Sequence, residues 1–303
     1  MRIHHVTRLC ACLLGILLFW TAGWAESAFS SLQPQPLGYQ QILQGLAIAD
    51  VIYLGETHDR PEDHQAQLTI LQKLDEHNCQ QGKATASSCL AIAMEMFQRP
   101  YQDIIDQYLA GTLTEQQLLE QTEYERRWGF PWEYYAPILR FAKERQLPVL
   151  ALNTPTEVTR KVAREGLESL TPSDKKYIPP LSEIRLDNAR YRQRLLDIYK
   201  QHQTTNHHSR NSFERFFTTQ VLWDETMADR IAQFLKSQPN KQLVVLVGQG
   251  HIVYGDGIPS RVTRRLNKRG KQDLVQRSVL LNPPEEELAL QGQRIADFIW
   301  QSE

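Results

Sequence analysis

The chain has 303 residues, of which 41% are hydrophobic and 23% are charged, and its formal net charge is −1. This composition is typical of a globular protein and excludes extensive disorder. The near-neutral charge gives no global field that would recruit nucleic acid, so we expect small-molecule ligands and no nucleic-acid partner.

The first 25 residues have the pattern of a secretory signal peptide. Arg2 and Arg8 precede an almost wholly apolar stretch, residues 9–20, and small residues at positions 23 and 25 fit a signal-peptidase site. We therefore expect residues 1–25 to be removed on export, which places the mature chain, 26–303, in the periplasm. The alternative is an uncleaved membrane anchor, because the apolar stretch is near the lower length for a membrane span.

Four cysteines bear on export. Cys10 and Cys12 precede the apolar stretch, so neither stands where a lipid-modified cysteine would have to be. Cys79 and Cys89 remain in the mature chain, ten positions apart, and disulfides persist in exported proteins. We expect this pair to be bridged; the alternative is two unlinked thiols.

Short β-branched runs alternate with helical periodicity along the chain. The patterns predict strands at 51–54, 90–94, 148–152, 243–247 and 275–281, and helices at 39–49, 61–77, 134–146, 156–170, 186–202 and 212–235, with two more within 100–121. We predict an α/β fold, a mostly parallel sheet of about five strands flanked by helices. It forms a single domain over 26–303 with a helical cap insertion at about 155–240.

Polar side chains follow four of the predicted strands, where each strand ends. They are Glu56 and His58, then Glu95, Asn153 and His251, and both histidines close a G-x-x-H tetrad. The carboxyl ends of parallel strands meet at one edge of a sheet, so we expect a shared site there. His58, His251, Glu56 and Glu95 suit a divalent metal, but they equally suit a metal-free acid/base pair or a set of structural caps.

The cap contains a basic and aromatic segment, 185–215. Tyr191, Leu195, Ile198 and His202 recur at helical spacing on one face, with arginines on its flanks. A flat, dicarboxylated ligand such as haem favours this mixture, with Tyr or His for the iron and Arg for the propionates. The alternative is an amphipathic helix with a solvated basic face.

Five aromatic residues lie within 128–135. Concave binding sites favour such rings, but a loop packed against the core has the same composition. Both interpretations stay open.

Several motifs, in order and spacing, resemble the ChaN-like haem-binding family, within the wider group that includes Tiki proteases and erythromycin esterases. They are Val51-Ile52-Tyr53-Leu54-Gly55-Glu56-Thr57-His58 followed by His64 and Gln67, then Ala93-Met94-Glu95-Met96-Phe97, the aromatic stretch 128–135, Leu150-Ala151-Leu152-Asn153 and Val247-Gly248-Gln249-Gly250-His251. The similarity covers roughly 40–282.

The resemblance implies an exported bacterial protein of iron or haem uptake, with haem held near the interface of a homodimer. It implies ligation by tyrosine with histidine assistance, and the candidates are Tyr191 and Tyr199 with His202, His207 or His208, while Arg194 would hold a propionate. Relatives that hydrolyse esters or peptides use residues that match Glu56, His58, Glu95 and His251. Two functions are therefore expected in competition: haem binding at the cap, and metal-dependent hydrolysis at the strand ends.

Overall fold

A computed structural model describes residues 39–80, 89–202, 210–267, 274–284 and 294–302. The strands are β1 (Val51–Glu56), β2 (Leu90–Gln98), β3 (Val149–Asn153), β4 (Gln242–Gly248), β5 (Gln276–Leu281) and β6 (Phe298–Trp300). The helices are α1 (Tyr39–Ala47), α2 (Pro61–Gln80), α3 (Gln102–Leu109), α4 (Glu115–Gln121), α5 (Tyr124–Arg127), α6 (Trp132–Glu144), α7 (Thr156–Glu165), α8 (Ala189–His202), α9 (Arg210–Ser237) and α10 (Ile258–Asn267).

Within the described residues, the strands form a single six-stranded sheet in the order β3-β2-β4-β1-β5-β6, and every pairing is parallel. The predicted fold class, an α/β fold with a mostly parallel sheet, is confirmed. The five predicted strands are present, and β6 is an additional short strand that the sequence interpretation missed. Its three residues are too few for a periodic pattern to identify.

Alternate residues of each strand pack on opposite faces of the sheet, as the two-residue period of a strand requires. Ile52, Ile92 and Val244 face the layer that contains α2 and α6, whereas Tyr53 and Val245 face the layer that contains α9 and α10. All of these side chains are fully buried. The sheet is therefore covered on both faces, which is usual for parallel sheets and explains the continuous apolar runs of the sequence.

The edge strand β3 is closed by a side chain. Gln102 of α3 donates from Nε2 to the Val149 carbonyl at 2.8 Å and accepts from the Ala151 amide at 2.9 Å. Its amide group thus makes the two hydrogen bonds that a neighbouring strand would make.

The helices between β3 and β4 divide into two packing environments. Tyr191 and Leu195 of α8 form a separate apolar cluster with the first half of α9, where Phe217 and Val221 lie. The second half of α9, from Met227 to Leu235, packs on the sheet instead. Helix α9 therefore connects the cap to the sheet as one continuous element, and the boundary of the cap at about 155–240 stays a prediction.

Two predictions concern residues that lie partly or wholly outside the described parts. The signal segment, 1–25, lies outside them, and no helix among the described residues is long and apolar enough to cross a membrane. The side chain of Cys79 also lies outside them, and the structure shows no disulfide within the part that it describes. The expected Cys79–Cys89 bridge is therefore not supported.

Candidate functional site

The register of the sheet places the two G-x-x-H motifs side by side. Glu56, the last residue of β1, pairs with Gly248, the last residue of β4. Strand β2 flanks β4 on its other side and carries Glu95, while His251 closes the turn that follows β4. The strand-end groups therefore lie at the carboxyl edge of three adjacent strands, the usual ligand position in an open α/β sheet.

The first acid–histidine pair is Glu56 with His58. The Oε1 atom of Glu56 lies 2.8 Å from Nδ1 of His58, and it also accepts from the Tyr135 hydroxyl at 2.8 Å. The Oε2 atom accepts from Nε2 of Gln67 at 2.5 Å. Glu56 is buried, so these donors replace the water that the carboxylate loses.

His64 supports this pair from behind. Its ring is buried, with Nε2 at 3.1 Å from the His58 carbonyl and Nδ1 at 3.3 Å from Oε1 of Gln67. The ring stacks on Tyr134 at 5.0 Å between centroids. It holds the backbone of the first motif and does not line the cleft described below.

The second acid–histidine group has three members. Nδ1 of His251 lies 2.7 Å from Oδ1 of Asp224, and Nε2 lies 3.4 Å from Oε1 of Glu95. The other oxygen of Glu95 accepts from the Gly248 amide at 2.8 Å, and the other oxygen of Asp224 accepts from the Tyr191 hydroxyl. Both ring nitrogens of His251 thus face carboxylates, an arrangement that favours the doubly protonated imidazolium.

The charge balance of this group follows from these contacts. Burial lowers the pKa of His251, but Glu95 and Asp224 outweigh burial and raise the pKa to about 10. Burial raises the pKa of Glu95, but His251, His58 and the Gly248 amide outweigh it and lower the pKa to about 2. At neutral pH, His251 is therefore a fixed cation and Glu95 a fixed anion.

The pKa of His58 is also raised by neighbouring carboxylates. Burial and the charge of His251 lower the pKa of His58, burial more strongly. The carboxylates of Glu56 and Glu95 outweigh both, so the pKa is raised above 6.5. With Nδ1 held by Glu56, Nε2 is the nitrogen left for a ligand. It lies beside Gly248, 2.9 Å from where a Cβ would stand, so only glycine allows the ring this close to β4.

Both groups open into one cleft of about 410 Å³. Its lining includes His58, Glu95 and His251, the aromatic rings of Trp128, Phe130 and Trp223, and a polar wall from Asn153 to Arg160. The aromatic stretch 128–135 therefore has both roles that its sequence allowed. Trp128 and Phe130 line the cleft, whereas Tyr135 is buried against Glu56.

The metal prediction for His58, His251, Glu56 and Glu95 is not supported. Among the residues that the structure describes, no group of three or more His, Cys, Asp or Glu side chains has an arrangement that could hold a metal ion. The physical reason is that the donors are engaged with one another: each carboxylate faces a histidine and accepts further hydrogen bonds from protein groups.

Asn153, the fifth strand-end residue, has a structural role. Its Nδ2 donates to the Glu95 carbonyl at 2.9 Å, and its Oδ1 accepts from the Thr154 amide at 2.8 Å. It fixes the chain where β3 leaves the sheet.

Two of the predicted haem-binding residues, Tyr191 and Arg194, are packed into the protein interior. Tyr191 is fully buried and its hydroxyl is donated to Asp224, so this conformation does not expose it to a haem iron. Arg194 is mostly buried, lies 5.1 Å from the ring centroid of Tyr191, and donates to the Val253 carbonyl at 2.5 Å. Tyr199 is half-buried, while His207 and His208 and the side chain of His202 lie outside the described residues.

The helical stripe of Tyr191 and Leu195 had two interpretations, a haem-facing surface and the apolar face of an amphipathic helix, and the structure packs it into the cap core. The apolar stripe of an amphipathic helix usually packs against the protein core, and this explains the burial of the stripe.

Asp224 is the main site residue that the sequence interpretation missed. A signal for it exists, because it lies three residues from both Val221 and Met227, which are buried on α9. A carboxylate on the apolar stripe of a helix needs a buried partner. Tyr135 and Gln67, which hold Glu56, were also not predicted in that role.

The fold and the site define an open α/β protein with two acid–histidine groups in a strand-end cleft. The sequence profile described as haem-binding uptake, Tiki superfamily, ChaN, matches residues 42–262, so the chain belongs to this family. The resemblance inferred from the motifs is thereby confirmed.

Similarity to an individual curated protein is low in sequence identity. The chain is similar to Protein RETICULATA-RELATED 5, chloroplastic, of Arabidopsis thaliana, with 27% identity over 272 residues, which are 87% of this chain and 35% of that protein. The chain thus spans about a third of the length of this curated relative.

One solved structure shows the same fold. The structure of ChaN of Campylobacter jejuni, described as binding haem cofacially, has a TM-score of 0.65 and 19% identity, and the likeness covers 87% of this chain and 91% of that one. A mutant of the erythromycin esterase EreC reaches a TM-score of 0.46 at 16% identity, covering 82% of this chain and 74% of the esterase. The second value is too low to support an argument.

Proposed function

We propose that this protein binds haem and takes part in haem or iron uptake, as an exported periplasmic protein. The observation that carries the proposal is the match of residues 42–262 to a haem-binding uptake family. The N-terminal pattern of two arginines, an apolar stretch and small residues supports export. The same proposal includes a homodimer with haem near its interface.

Of the proposed ligands, Tyr199 is placed best to meet a haem. It lies near the end of α8, half-buried, with its ring 5.6 Å from that of Phe213 and 5.3 Å from that of Phe216. Its hydroxyl makes no hydrogen bond with the residues that the structure describes. Two exposed cations, Lys200 and Arg215, adjoin Tyr199 and Phe216 in sequence and would meet propionates.

These residues fit the group: a phenol for the iron, flat rings for the macrocycle and cations for the carboxylates. Haem would supply the iron to be carried, and Tyr199 would hold it as a phenolate.

The test is a titration of the protein with haemin, monitored by the absorption spectrum of the bound haem. The mature protein is expected to shift the Soret band at a one-to-one ratio, and Tyr199→Phe is expected to remove the phenolate-type spectrum. Tyr177→Phe, a half-buried tyrosine outside α8 and α9, is the matched control and should leave the spectrum unchanged. An unaltered spectrum in Tyr199→Phe would refute the assignment of this ligand, and absence of any shift would refute haem binding.

We infer a second candidate function, metal-free hydrolysis in the strand-end cleft. The observation that favours it is the 2.8 Å contact of Glu56 with His58, which orients the imidazole, beside the fixed imidazolium of His251 in the same cleft. His58 would take a proton from water at Nε2, and Glu56, which holds Nδ1, would stabilise the imidazolium that forms.

Chromogenic esters with p-nitrophenol as leaving group test this candidate. Turnover is expected to resist EDTA and to be lost in His58→Gln, while His77→Gln on α2, outside the cleft lining, keeps it. Loss of turnover with EDTA would show that a metal is needed after all, and equal loss in both variants would show that His58 is not the base.

A further inference from the structure

One wall of the strand-end cleft is rich in hydrogen-bond donors. It is formed by the segment that leaves β3 and starts α7, and we call its three members Thr154, Thr156 and Arg160 the donor wall. None of the three belongs to either acid–histidine group.

Thr154 carries an unmet hydrogen-bonding group. The residue is 1% exposed, and its Oγ1 has no hydrogen-bond partner, although its amide is held by Asn153. Buried hydroxyls are nearly always paired, so one that lines a cleft without a partner is a position where a ligand atom can complete the pairing.

Thr156 and Arg160 add two donors. Oγ1 of Thr156 accepts from Nε2 of Gln98 at 2.5 Å, which leaves the hydroxyl proton of Thr156 to be donated elsewhere. Arg160 is exposed and forms no ion pair within the described parts of the chain. By contrast Arg127, in the same cleft, is already paired with Glu123 and with Glu157.

Three aromatic side chains also line the cleft, beside the charged groups Glu95 and His251. They are Trp128, Phe130 and Trp223, and the rings of Trp128 and His58 lie nearly perpendicular at 4.8 Å between centroids. Aromatic walls favour a ligand with a flat apolar group, and the Arg160 guanidinium together with two threonine hydroxyls can donate to an oxyanion.

We propose that the strand-end cleft binds an aromatic or flat apolar molecule through an oxyanion, a carboxylate or a phosphate monoester, which the donor wall receives. This inference concerns the cleft and does not depend on haem at the cap. If hydrolysis occurs there, the same wall selects anionic substrates.

Benzoate, phenyl phosphate and the neutral analogue benzamide are the probes, each titrated into the mature protein. Trp128 and Trp223 line the cleft, so their fluorescence reports occupancy, and calorimetry gives the affinity. Arg160→Gln removes the charge, and Thr154→Val removes the hydroxyl at nearly constant volume. Arg164→Gln is the matched control, since Arg164 is exposed on the same helix and outside the lining.

Saturable binding of at least one anion is expected, weakened about tenfold by Arg160→Gln and left unchanged by Arg164→Gln. Comparison of the affinities of benzoate and phenyl phosphate shows whether the cleft prefers a carboxylate or a phosphate monoester. Tyr199→Phe should not alter this binding, which separates the result from that of the haem test. Equal binding of benzamide, equal effects of the two arginine variants, or no binding of either anion would overturn the proposal.

Discussion

Oδ1 of Asp224 lies 2.7 Å from Nδ1 of His251, and this contact joins the longest helix of the described chain to the strand-end site. Asp224 is fully buried in α9, and its other oxygen accepts from Tyr191 of α8. The position of the cap is therefore coupled to the charge of His251 through one carboxylate. A shift of α8 or α9 would change the balance that keeps this histidine protonated.

Replacement of Asp224 should be costly in a pH-dependent way. The folded pKa of His251, about 10, exceeds the ordinary value of 6.5, so its stabilisation is complete below pH 6.5 and is lost as the pH rises toward 10. Asp224→Asn is expected to lower the free energy of unfolding by about 3 to 5 kcal/mol at pH 6, and by much less near pH 10. Urea unfolding at both pH values measures this, with the exposed Asp197→Asn as control. A deficit that is constant with pH would contradict the imidazolium assignment.

Glu95 should make the stability of the protein depend on pH in the acid range. Its folded pKa of about 2 is below the ordinary 4.5, so its stabilisation is present above pH 4.5 and is lost as the pH falls toward 2. Glu95→Gln should therefore be less stable than the wild type at pH 5, with the gap closing at pH 2. Exposed Glu120→Gln should show no such gap. Glu95 and His251 share one interaction, so the two effects do not add.

The contact between His58 and Gly248 predicts a paired result for two glycines. A Cβ on Gly248 would lie 2.8 Å from Cε1 of His58, whereas a Cβ on Gly250 would meet no atom within 4 Å. Gly248→Ala is expected to cost about 1 to 3 kcal/mol and to shift the NMR signals of His58, because the ring must move. Gly250→Ala should do neither, and similar behaviour of both variants would show that the ring is not packed as described.

Tyr135 tests the support of Glu56. Its buried hydroxyl donates to Oε1 of Glu56, so Tyr135→Phe leaves that oxygen with one donor fewer. We expect a loss of about 1 to 3 kcal/mol in thermal or urea unfolding, together with a changed titration of His58 by NMR. Tyr134→Phe is the neighbouring control, since Tyr134 contacts His64 by ring stacking. If only stability changed and the His58 titration did not, Tyr135 would be a packing residue.

The strand-end residues could be predicted because local sequence carries the information. Val51 to Leu54 and Leu243 to Val247 are buried on both sides of the sheet, and this demands uninterrupted apolar runs whose ends are visible in the sequence. That β4 lies between β1 and β2 could not be predicted, because no local pattern states which strands are neighbours. The pairing of Glu56 with Gly248 depends on that order.

The cap was harder to interpret because one pattern fits two outcomes. Tyr191 and Tyr199 are both aromatic residues of α8, yet one is fully buried and the other is half-buried. Asp224 escaped notice for a related reason: its partner, His251, is 27 residues away in sequence and adjacent only in the fold.

The Gln102 side chain, which hydrogen-bonds the backbone of Val149 and Ala151, also bears on how copies of this molecule can associate. An open strand at the margin of a sheet is a template on which another polypeptide can extend the ladder, and this is a common route to fibrils and domain exchange. Here both backbone groups at the middle of β3 are already satisfied from within the chain. Extension of the sheet past β3 by another polypeptide would have to displace the Gln102 side chain from these two groups.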